Sequence, residues 1–314
     1  MTRLLVTGAD GFVGRWLVRE ALAQGWEVTA AIAPGGIEPS RWLPEAEGAG
    51  VATVAADITD PIGLARLAAV EADAVAHLAA LSSGAAARKD PDGAMLVNAV
   101  ATVNLVEALG NAGRQPRFLF VSTGEVYGAG HDGPIREDAP LAPVSPYAAS
   151  KLAGESAVLD PAGATGMPAM VARAFPHSGP GQSTAFVLPA FAARLREAKQ
   201  RGQRQIPVGN LEVVRDFLDV RDVVRAYLLL LRHGQAGECY NVASGIGQHL
   251  RGCFDRLAEL MGVAAVPVED ASLVRPADIP VLIGNPAKLQ AATGWQPLIA
   301  FEQTLQDLID AEAH

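Results

Sequence analysis

The amino-terminal stretch reads Arg3-Leu-Leu-Val-Thr-Gly-Ala-Asp-Gly-Phe-Val-Gly14. Its apolar first half predicts a buried strand, and the apolar spacing over Arg15 to Gln24 predicts a helix. Between them, Gly8, Gly11 and Gly14 permit a tight turn and a close approach of the backbone to a ligand. Free N–H groups and the helix dipole favour an anion at this helix end. The stretch therefore predicts a strand, turn and helix that bind the pyrophosphate of a dinucleotide.

Short apolar runs alternate with helical segments through the first half of the chain, as repeated βαβ units require. The predicted strands are Arg3–Thr7, Glu27–Ile32, Val51–Ala55, Ala74–Leu78, Arg117–Ser122 and Ala169–Ala172. Two long helices are predicted at Asp92–Ala112 and Pro146–Leu159. The series predicts an α/β fold with a doubly wound parallel sheet, whose ligands bind beyond the carboxyl ends of the strands.

The second half of the chain has a looser pattern, with loops rich in glycine and proline. Within it, Glu238–Ala243 looks like a last strand of the first sheet. We therefore predict a nucleotide-binding domain made of residues 1–174 plus about 219–243. A smaller substrate domain, interleaved with the first, would comprise about 175–218 plus 244–314.

Composition excludes several classes of function. The chain has 314 residues and a net charge of −9, which leaves no basic stripe for nucleic acid. Cys239 and Cys253 lack CxxC spacing and the six histidines lack metal-ligand spacing, so no metal site is predicted. The sequence shows neither a basic-then-apolar leader nor an apolar run of membrane-spanning length. We therefore expect a cytoplasmic protein without a nucleic-acid or membrane partner.

Tyr147 and Lys151 are the residues that most directly predict chemistry. Four positions apart on a predicted helix, their side chains lie on one face. A nearby ammonium, together with the positive charge of an oxidised nicotinamide, favours tyrosinate and lowers the pKa of the phenol. Tyr147 could then exchange a proton with a sugar hydroxyl or ketone. The pattern is short and also occurs on ordinary surface helices, but the glycine-rich turn upstream favours the catalytic interpretation.

Seven collinear stretches resemble the extended short-chain dehydrogenase/reductases that act on nucleotide sugars. They are Thr7–Gly14, Asp57–Thr59, His77–Ala80, Ser122–Gly128, Tyr147–Lys151, Arg215–Val220 and Tyr240–Gly245. Near the carboxyl terminus, Arg275–Leu289 and Gly294–Pro297 resemble the signature of GDP-mannose-type enzymes and are most similar to GDP-6-deoxy-4-keto-mannose reductases. The resemblance implies a Rossmann-type sheet with a smaller interleaved carboxyl-terminal domain.

The resemblance also implies a catalytic set. Tyr147 would provide the proton, Lys151 would hold the ribose and lower the phenol pKa, and Thr123 would orient the substrate oxygen. Glu125 stands where dehydratase relatives keep a carboxylate that removes a sugar proton. Reductases that resemble this chain can carry an acid there too, so Glu125 alone does not decide the reaction.

Cofactor contacts are expected along the turn, after the third and fourth strands and on the long helix. They are Gly8, Gly11, Phe12, Val13, Gly14, Asp57, Ile58, Leu78, Ala79, Ala80 and Asn98, together with Tyr147 and Lys151. Asp57 resembles the residue that binds the adenine amino group. Asn98 resembles an asparagine near the nicotinamide ribose, although an ordinary buried helix amide explains it as well. The second strand ends without an acid, so we expect NADP(H), with NAD(H) open and with Arg15 or Arg41 available to a 2′-phosphate.

A GDP-sugar is the expected substrate. Its expected contacts are Ser82, Ser83, Thr123, Arg194, Arg215 and Arg275. Guanidinium groups suit a diphosphate because they pair two donors with its oxygens and stay charged. One departure stands out: Pro176 occupies a position where the family usually keeps asparagine, and proline supplies neither an amide side chain nor an N–H. Either the diphosphate and sugar are held differently, or the hexose is not the usual one.

The predicted activity is NAD(P)H-dependent reduction of the C4 ketone of a GDP-4-keto-6-deoxyhexose. The alternatives are a GDP-mannose-type 4,6-dehydratase, a nucleotide-sugar 4-epimerase and a nucleotide-binding sensor or scaffold without chemistry. Intact Thr123, Tyr147 and Lys151 favour an enzyme over a scaffold. Relatives commonly pair through helices that correspond to Asp92–Ala112 and Pro146–Leu159, so a homodimer is expected.

Overall fold

The computed structural model describes residues 1–48, 50–160, 166–274 and 279–311. Its strands are β1 (Arg3–Thr7), β2 (Glu27–Ile32), β3 (Ala52–Ala55), β4 (Ala74–His77), β5 (Arg117–Thr123), β6 (Ala169–Ala174), β7 (His177–Ser178), β8 (Gln205–Val208), β9 (Val214–Asp216), β10 (Leu218–Asp219), β11 (Cys239–Val242), β12 (Gly247–His249), β13 (Val266–Glu269) and β14 (Val281–Leu282).

The α-helices are α1 (Phe12–Ala23), α2 (Glu45–Gly48), α3 (Pro61–Ala68), α4 (Gly84–Lys89), α5 (Pro91–Met95), α6 (Ala101–Asn111), α7 (Pro146–Leu159), α8 (Val187–Arg201), α9 (Val220–His233), α10 (Leu250–Leu260), α11 (Ala287–Thr293) and α12 (Phe301–Ala311). A π-helical segment, Leu96–Val100, joins α5 to α6. Short 3-10 turns occupy Pro39–Arg41, Gly124–Tyr127 and Ala271–Leu273.

The central sheet is parallel and has the order β11-β6-β5-β4-β1-β2-β3. The chain winds outward through β2 and β3 on one side of β1 and through β4, β5 and β6 on the other. This arrangement confirms the predicted doubly wound α/β fold. In such a sheet, ligands bind outside the carboxyl ends of the strands, where the direction of winding changes. The change falls between β1 and β4, where Thr7 pairs with His77.

Both faces of the sheet are buried, because strand side chains alternate between the two faces. Leu4, Val6 and Leu119 belong to one apolar cluster, which also contains core residues of α1 and α9. Leu5 and Phe120 belong to the cluster on the other face, where residues of α3, α6 and α7 pack. The helices therefore cover the sheet on both faces and leave the carboxyl ends of its strands accessible.

The predicted last strand joins this sheet from far along the chain. Cys239–Val242 forms β11, which pairs in parallel with β6. Elsewhere in the second half, β7 to β10 and β12 to β14 form three small sheets. A separate apolar cluster lies among α8, α10 and α12, with Phe191 and Phe254 in edge-to-face contact at 5.4 Å between ring centroids.

The long helix predicted at Asp92–Ala112 differs from expectation in its middle. The structure has two α-helical segments there, joined by the π-helical turn that carries Asn98. A π turn inserts one residue into the helix, and such turns are frequent at functional sites. Apolar spacing alone did not show it, because the residues before and after the turn keep helical spacing.

One helical run among the described residues, Pro91–Asn111, has the length and apolar composition of a membrane span, with a mean hydropathy of 1.4 over its best window. This run contacts α3 and α7, and 44% of that window is buried. Helices that cover a parallel sheet have the same apolar character. The composition is therefore weak evidence for a membrane.

Candidate active site

A cavity of about 720 Å³ lies beyond the carboxyl ends of the central strands. The ends of three strands contribute to its wall, namely Thr7 of β1, Thr123 of β5 and Ala174 of β6. The glycine-rich turn lines the cavity, and so do Tyr147 and Lys151. The fold thus brings the predicted nucleotide turn and the predicted proton donor into one space.

The glycine-rich turn requires glycine for reasons of space. Gly8 has a φ of 68°, and a Cβ there would lie 2.9 Å from the backbone nitrogen of Ala79. A Cβ on Gly14 would lie 2.2 Å from the carbonyl oxygen of Gly8. The turn therefore packs tightly and leads directly into α1, which begins at Phe12. The free N–H groups at this helix end suit a pyrophosphate.

The residues predicted to contact the adenosine line the same cavity. Asp57 and Ile58 follow β3 and line the cavity. The Asp57 carboxylate accepts hydrogen bonds from the Thr59 N–H at 2.8 Å and the Thr59 hydroxyl at 2.7 Å. These bonds lower the pKa of Asp57, so the group is an ionised acceptor at neutral pH. Leu78, Ala79 and Ala80 line the cavity as well.

The end of β2 presents Ile32 and Ala33 to the cavity. A carboxylate reaches the cavity from another place, because Asp10 of the glycine-rich turn lines it and accepts a hydrogen bond from Ile37 N–H at 3.1 Å. Asp10 was not among the cofactor contacts predicted from the sequence. Arg15, which does not line the cavity, donates to the Asp10 carbonyl at 2.8 Å. The acid that reaches the cavity near the end of β2 therefore comes from the glycine-rich turn.

Tyr147 stands in the first turn of α7. Ser145 caps this helix by accepting a hydrogen bond from Ala148 N–H at 3.1 Å, and proline follows the cap. Burial raises the pKa of Tyr147, the negative charge of Glu125 raises it further, and a hydrogen bond with Thr123 opposes the rise. Glu125 and Thr123 line the same cavity.

Lys151 reaches the cavity one helical turn after Tyr147. Its Nζ donates to the Val121 carbonyl at 2.7 Å and lies 4.8 Å from the centroid of the Phe120 ring. Burial lowers the Lys151 pKa to about 7, and Glu155 acts in the opposite direction. In the chain alone, the phenol pKa of Tyr147 is raised and not lowered as the spacing of the pair led us to expect. The protein by itself therefore holds Tyr147 as a neutral phenol.

Asn98 lies behind the cavity wall rather than in it. Its amide oxygen accepts from Leu81 N–H at 2.8 Å, and its amide nitrogen donates to the Leu81 carbonyl at 3.2 Å and to Ser150 Oγ at 2.9 Å. Ser150 in turn donates to the Tyr147 carbonyl at 2.8 Å. In this structure Asn98 therefore joins the loop after β4 to the helix that carries Tyr147.

His77, the last residue of β4, connects this strand to the end of β1 beneath the glycine-rich turn. This fully buried ring lies 2.8 Å from Thr7 Oγ1 and 3.0 Å from Thr102 Oγ1. Burial lowers the His77 pKa to about 3, and the charge of Lys151 lowers it in the same direction. His77 is therefore a neutral link between β1, β4 and α6.

Three of the six predicted substrate residues, Ser82, Thr123 and Arg215, line the cavity. Ser83 instead caps α4, where its hydroxyl accepts from Ala86 N–H at 3.3 Å. Arg194 lies on α8 outside the cavity wall and donates to the Pro207 carbonyl at 3.1 Å. Arg275 lies outside the described residues.

Arg215 is held by backbone carbonyls. Its Nη1 donates to Val214 O at 2.9 Å and to Ile279 O at 2.6 Å. The position of the guanidinium is therefore fixed by β9 and by the segment before β14. A cation so placed in the wall of an open cavity can meet an anionic ligand without a large loss of side-chain freedom.

Pro176, which stands where the family usually keeps asparagine, lines the cavity, and its carbonyl accepts from Leu218 N–H at 3.0 Å. The next residue, His177, also lines the cavity and stacks on Phe12 with 6.4 Å between ring centroids. His177 Nδ1 lies 2.9 Å from the Phe175 carbonyl, which can only accept, so Nδ1 carries the hydrogen. Burial lowers the His177 pKa and keeps the ring neutral.

Sequence reasoning missed a set of mostly apolar lining residues supplied by the second half of the chain. They are His177, Phe186, Val187, Leu188, Phe217 and Tyr227. Most of them resemble ordinary core residues, and only their place in the fold shows that they reach the cavity.

The parallel sheet, the glycine-rich turn and the Tyr147–Lys151 helix meet at one cavity, and this combination defines an NAD(P)-dependent oxidoreductase of the short-chain dehydrogenase/reductase class. Comparison with known proteins specifies the class further. The family model of GDP-mannose 4,6 dehydratase matches residues 5–308. The chain belongs to this family of nucleotide-sugar enzymes within the extended short-chain dehydrogenases/reductases.

A sequence and a solved structure from Pseudomonas aeruginosa are similar to this chain. GDP-6-deoxy-D-mannose reductase is 37% identical over 98% of this chain and 96% of its own length. The structure of RMD complexed with NADPH superposes with a TM-score of 0.85 at 37% identity and covers 99% of this chain and 98% of its own.

A further solved structure is the UDP-glucose 4-epimerase of Thermus thermophilus in complex with NAD. It is 30% identical, with a TM-score of 0.85, and the alignment covers 99% of this chain and 98% of the epimerase. Proteins similar to this chain therefore include complexes with either dinucleotide.

Proposed function

We propose that this enzyme reduces the C4 ketone of a GDP-4-keto-6-deoxyhexose. The observation that carries the proposal is that Thr123, Tyr147 and Lys151 line the same cavity as the glycine-rich turn, where burial keeps Tyr147 a neutral phenol. A reductase needs its tyrosine protonated at the start of the reaction, because this group gives a proton to the substrate oxygen. The 37% identity to a GDP-6-deoxy-D-mannose reductase supports the same choice.

Each catalytic residue has a role in this reaction. A reduced dinucleotide held at the glycine-rich turn would supply the hydride. Tyr147 donates a proton to the oxygen at C4, and the Thr123 hydroxyl orients that oxygen by a hydrogen bond. Lys151 holds the ribose next to this pair, and its ammonium stabilises the tyrosinate that proton donation leaves behind.

The cavity residues fit a dinucleotide. The glycine-rich turn would hold its pyrophosphate, Asp57 and Ile58 would contact the adenine, and Leu78 to Ala80 would line the path between them. We propose NADP(H) as the cofactor, because β2 ends in Ile32 without an acid and a structure of an NADPH complex is similar to this chain. NAD(H) is the alternative, which the Asp10 carboxylate in the cavity wall favours because it could accept a bond from a ribose hydroxyl.

The GDP-sugar would occupy the part of the cavity bordered by Ser82, Arg215 and the segment after Pro176. Arg275 is proposed as a second diphosphate contact from the sequence resemblance alone. We also propose that residues 1–174 plus about 219–243 hold the dinucleotide, and that about 175–218 plus 244–314 hold the sugar nucleotide.

A 4,6-dehydratase is the second candidate. Glu125 favours it, because this carboxylate lines the cavity beside Tyr147 and could remove a sugar proton.

We propose a cytoplasmic location and a homodimer for the enzyme, as expected from the sequence.

A direct assay separates the two reactions. A GDP-4-keto-6-deoxyhexose offered with NADPH should be reduced while absorbance at the nicotinamide band falls in proportion to product. Conversion of GDP-mannose without net consumption of the dinucleotide would instead identify a dehydratase. Parallel assays with NADH identify the preferred cofactor.

A further inference from the structure

The hydroxyl of Tyr227 is a buried polar group without a partner. Tyr227 lies on α9, is fully buried, and its Oη makes no hydrogen bond with the described residues. Trp26 Nε1 is the other buried side-chain atom of this kind in the described ranges. The two differ in one respect, because Tyr227 lines the cavity and Trp26 does not. Buried polar groups are nearly always satisfied in native proteins, so Tyr227 needs an explanation.

Tyr227 approaches the cavity from the face of the sheet that α1 covers. It belongs to the apolar cluster of that face, against which Phe12, Val13 and Val121 also pack. Burial raises the pKa of Tyr227, and its interaction with the nearby Tyr147 phenol raises it further. The hydroxyl is therefore a neutral, buried donor and acceptor on a residue of the cavity wall, to which Phe12, Val13 and Tyr147 also contribute.

We propose that Tyr227 provides a hydrogen bond to the carboxamide of the bound nicotinamide. The inference rests on dinucleotide binding at the glycine-rich turn. Hydride transfer requires the nicotinamide ring to lie beside Tyr147, and its carboxamide is the ring's polar substituent. A phenol suits this group because each can donate one hydrogen bond and accept another.

The sugar nucleotide is a poorer match for this hydroxyl. Its polar candidates, Ser82 and Arg215, belong to the loop after β4 and to β9, whereas Tyr227 lies on a helix beneath the sheet. Tyr227 is thus placed as a positioning contact for the cofactor ring.

Binding measurements with two ligands test the proposal. Titration calorimetry of Tyr227→Phe should show about 10-fold weaker binding of NADP⁺ than the wild type, which is the effect of one neutral hydrogen bond. ADP-ribose 2′-phosphate, which lacks only the nicotinamide, should bind both proteins equally. NAD⁺ and ADP-ribose form the matching pair if the enzyme prefers NAD(H). Equal binding of the whole dinucleotide by both proteins would overturn the role of Tyr227. Failure of the wild type to bind either dinucleotide would overturn the proposed function itself.

The melting temperature of the ligand-free protein distinguishes a cofactor contact from a purely structural role of Tyr227. Because its hydroxyl has no partner among the described residues, Tyr227→Phe should not lower the melting temperature of the free protein, but it should reduce the rise produced by NADP⁺. Tyr240→Phe is the matched control, since the buried Tyr240 hydroxyl accepts from Gln235 N–H at 2.9 Å. That variant should lower the melting temperature and leave NADP⁺ affinity unchanged. A loss of free-protein stability in Tyr227→Phe equal to that of the control would contradict the proposal.

Discussion

Arg173 and Glu155 form a buried ion pair, with 2.7 Å between Nη2 of the arginine and Oε2 of the glutamate. Glu155 lies on α7, one helical turn after Lys151. The same carboxylate accepts from the hydroxyl of Ser122, which directly precedes Thr123 in β5. Glu155 also raises the Lys151 pKa against the effect of burial. The pair therefore joins β5, β6 and α7 behind the catalytic residues and favours the charged form of Lys151.

Glu155→Gln should destabilise the protein and shift its pH profile. Loss of the carboxylate leaves Arg173 as a buried charge without its counter-ion, which typically lowers the free energy of unfolding by about 3–5 kcal/mol. The Lys151 pKa should fall, so the activity that needs its ammonium should decline at lower pH than in the wild type. Denaturant unfolding and the pH dependence of kcat measure the two effects.

The control for this variant is Glu302→Gln. Glu302 pairs with Arg256 at the surface, where half of its side chain is exposed and such pairs contribute at most about 1 kcal/mol. Equal destabilisation by the two substitutions, with an unchanged pH profile, would refute the role assigned to Glu155.

Lys151→Met should flatten the pH dependence of stability. The folded pKa of about 7 lies below the unfolded value of about 10.4, so the unfolded chain binds more protons between these values. The wild type should therefore gain stability as pH rises, by about 2 kcal/mol from pH 7 to pH 9 from this group. The variant should lack this gain and also lose turnover and cofactor affinity. A variant whose unfolding free energy rises with pH as in the wild type would contradict the assignment.

Tyr147→Phe should retain NADP⁺ binding and lower kcat by roughly 100-fold or more, because positioned proton transfer contributes about that much. Steady-state kinetics and calorimetry of the same preparation separate the two properties. Tyr240→Phe makes the same chemical change outside the cavity wall and should retain turnover. Full activity of the Tyr147 variant would exclude it as the proton donor.

Arg215→Ala should weaken GDP binding far more than NADP⁺ binding, since it removes a charge-assisted contact with phosphate worth about 1.5–3 kcal/mol. Arg194→Ala removes the same charge outside the cavity wall and should change neither affinity. Calorimetric titration of GDP and NADP⁺ into both variants gives the comparison. An equal loss for the two ligands in Arg215→Ala would indicate damage to the fold rather than a missing contact.

The homodimer prediction rests on the helical run that contains the π turn. Met95, Leu96 and Val100 are exposed apolar side chains on it. A second copy packed there would bury them in an isologous interface. Light scattering should give the dimer mass for the wild type and the monomer mass for Leu96→Glu. A wild type that is monomeric at micromolar concentration would defeat the prediction.

The sequence predicted the central sheet well, because each strand carries a local signal. The predicted bounds of the strands Arg3–Thr7 and Glu27–Ile32 match the structure, and so do those of the helix Pro146–Leu159. The reason is that these segments are bounded by glycine, proline or a capping serine. It did not predict the π turn at Asn98, whose side chain makes hydrogen bonds to Leu81 and Ser150, which are distant in sequence.

The candidate site was predictable where a short sequence motif determines the local geometry. The glycine-rich turn and the pair Tyr147 and Lys151 reach one cavity as expected. The roles of Glu155 and Tyr227 were not visible, because each depends on contacts between segments far apart in sequence. An acid in a helix and a tyrosine on an apolar helix face carry no local signal for such contacts.

Transfer of deuterium from NADPH to the sugar is the most direct test of the proposed C4 reduction. The enzyme is given a GDP-4-keto-6-deoxyhexose with NADPH deuterated at the transferable C4 position of the nicotinamide. Our account predicts one deuterium at C4 of the product sugar for each NADPH oxidised, and loss of this transfer in Tyr147→Phe. Deuterium that stays on the dinucleotide, with the C4 ketone of the sugar unreduced, would contradict the proposed reduction.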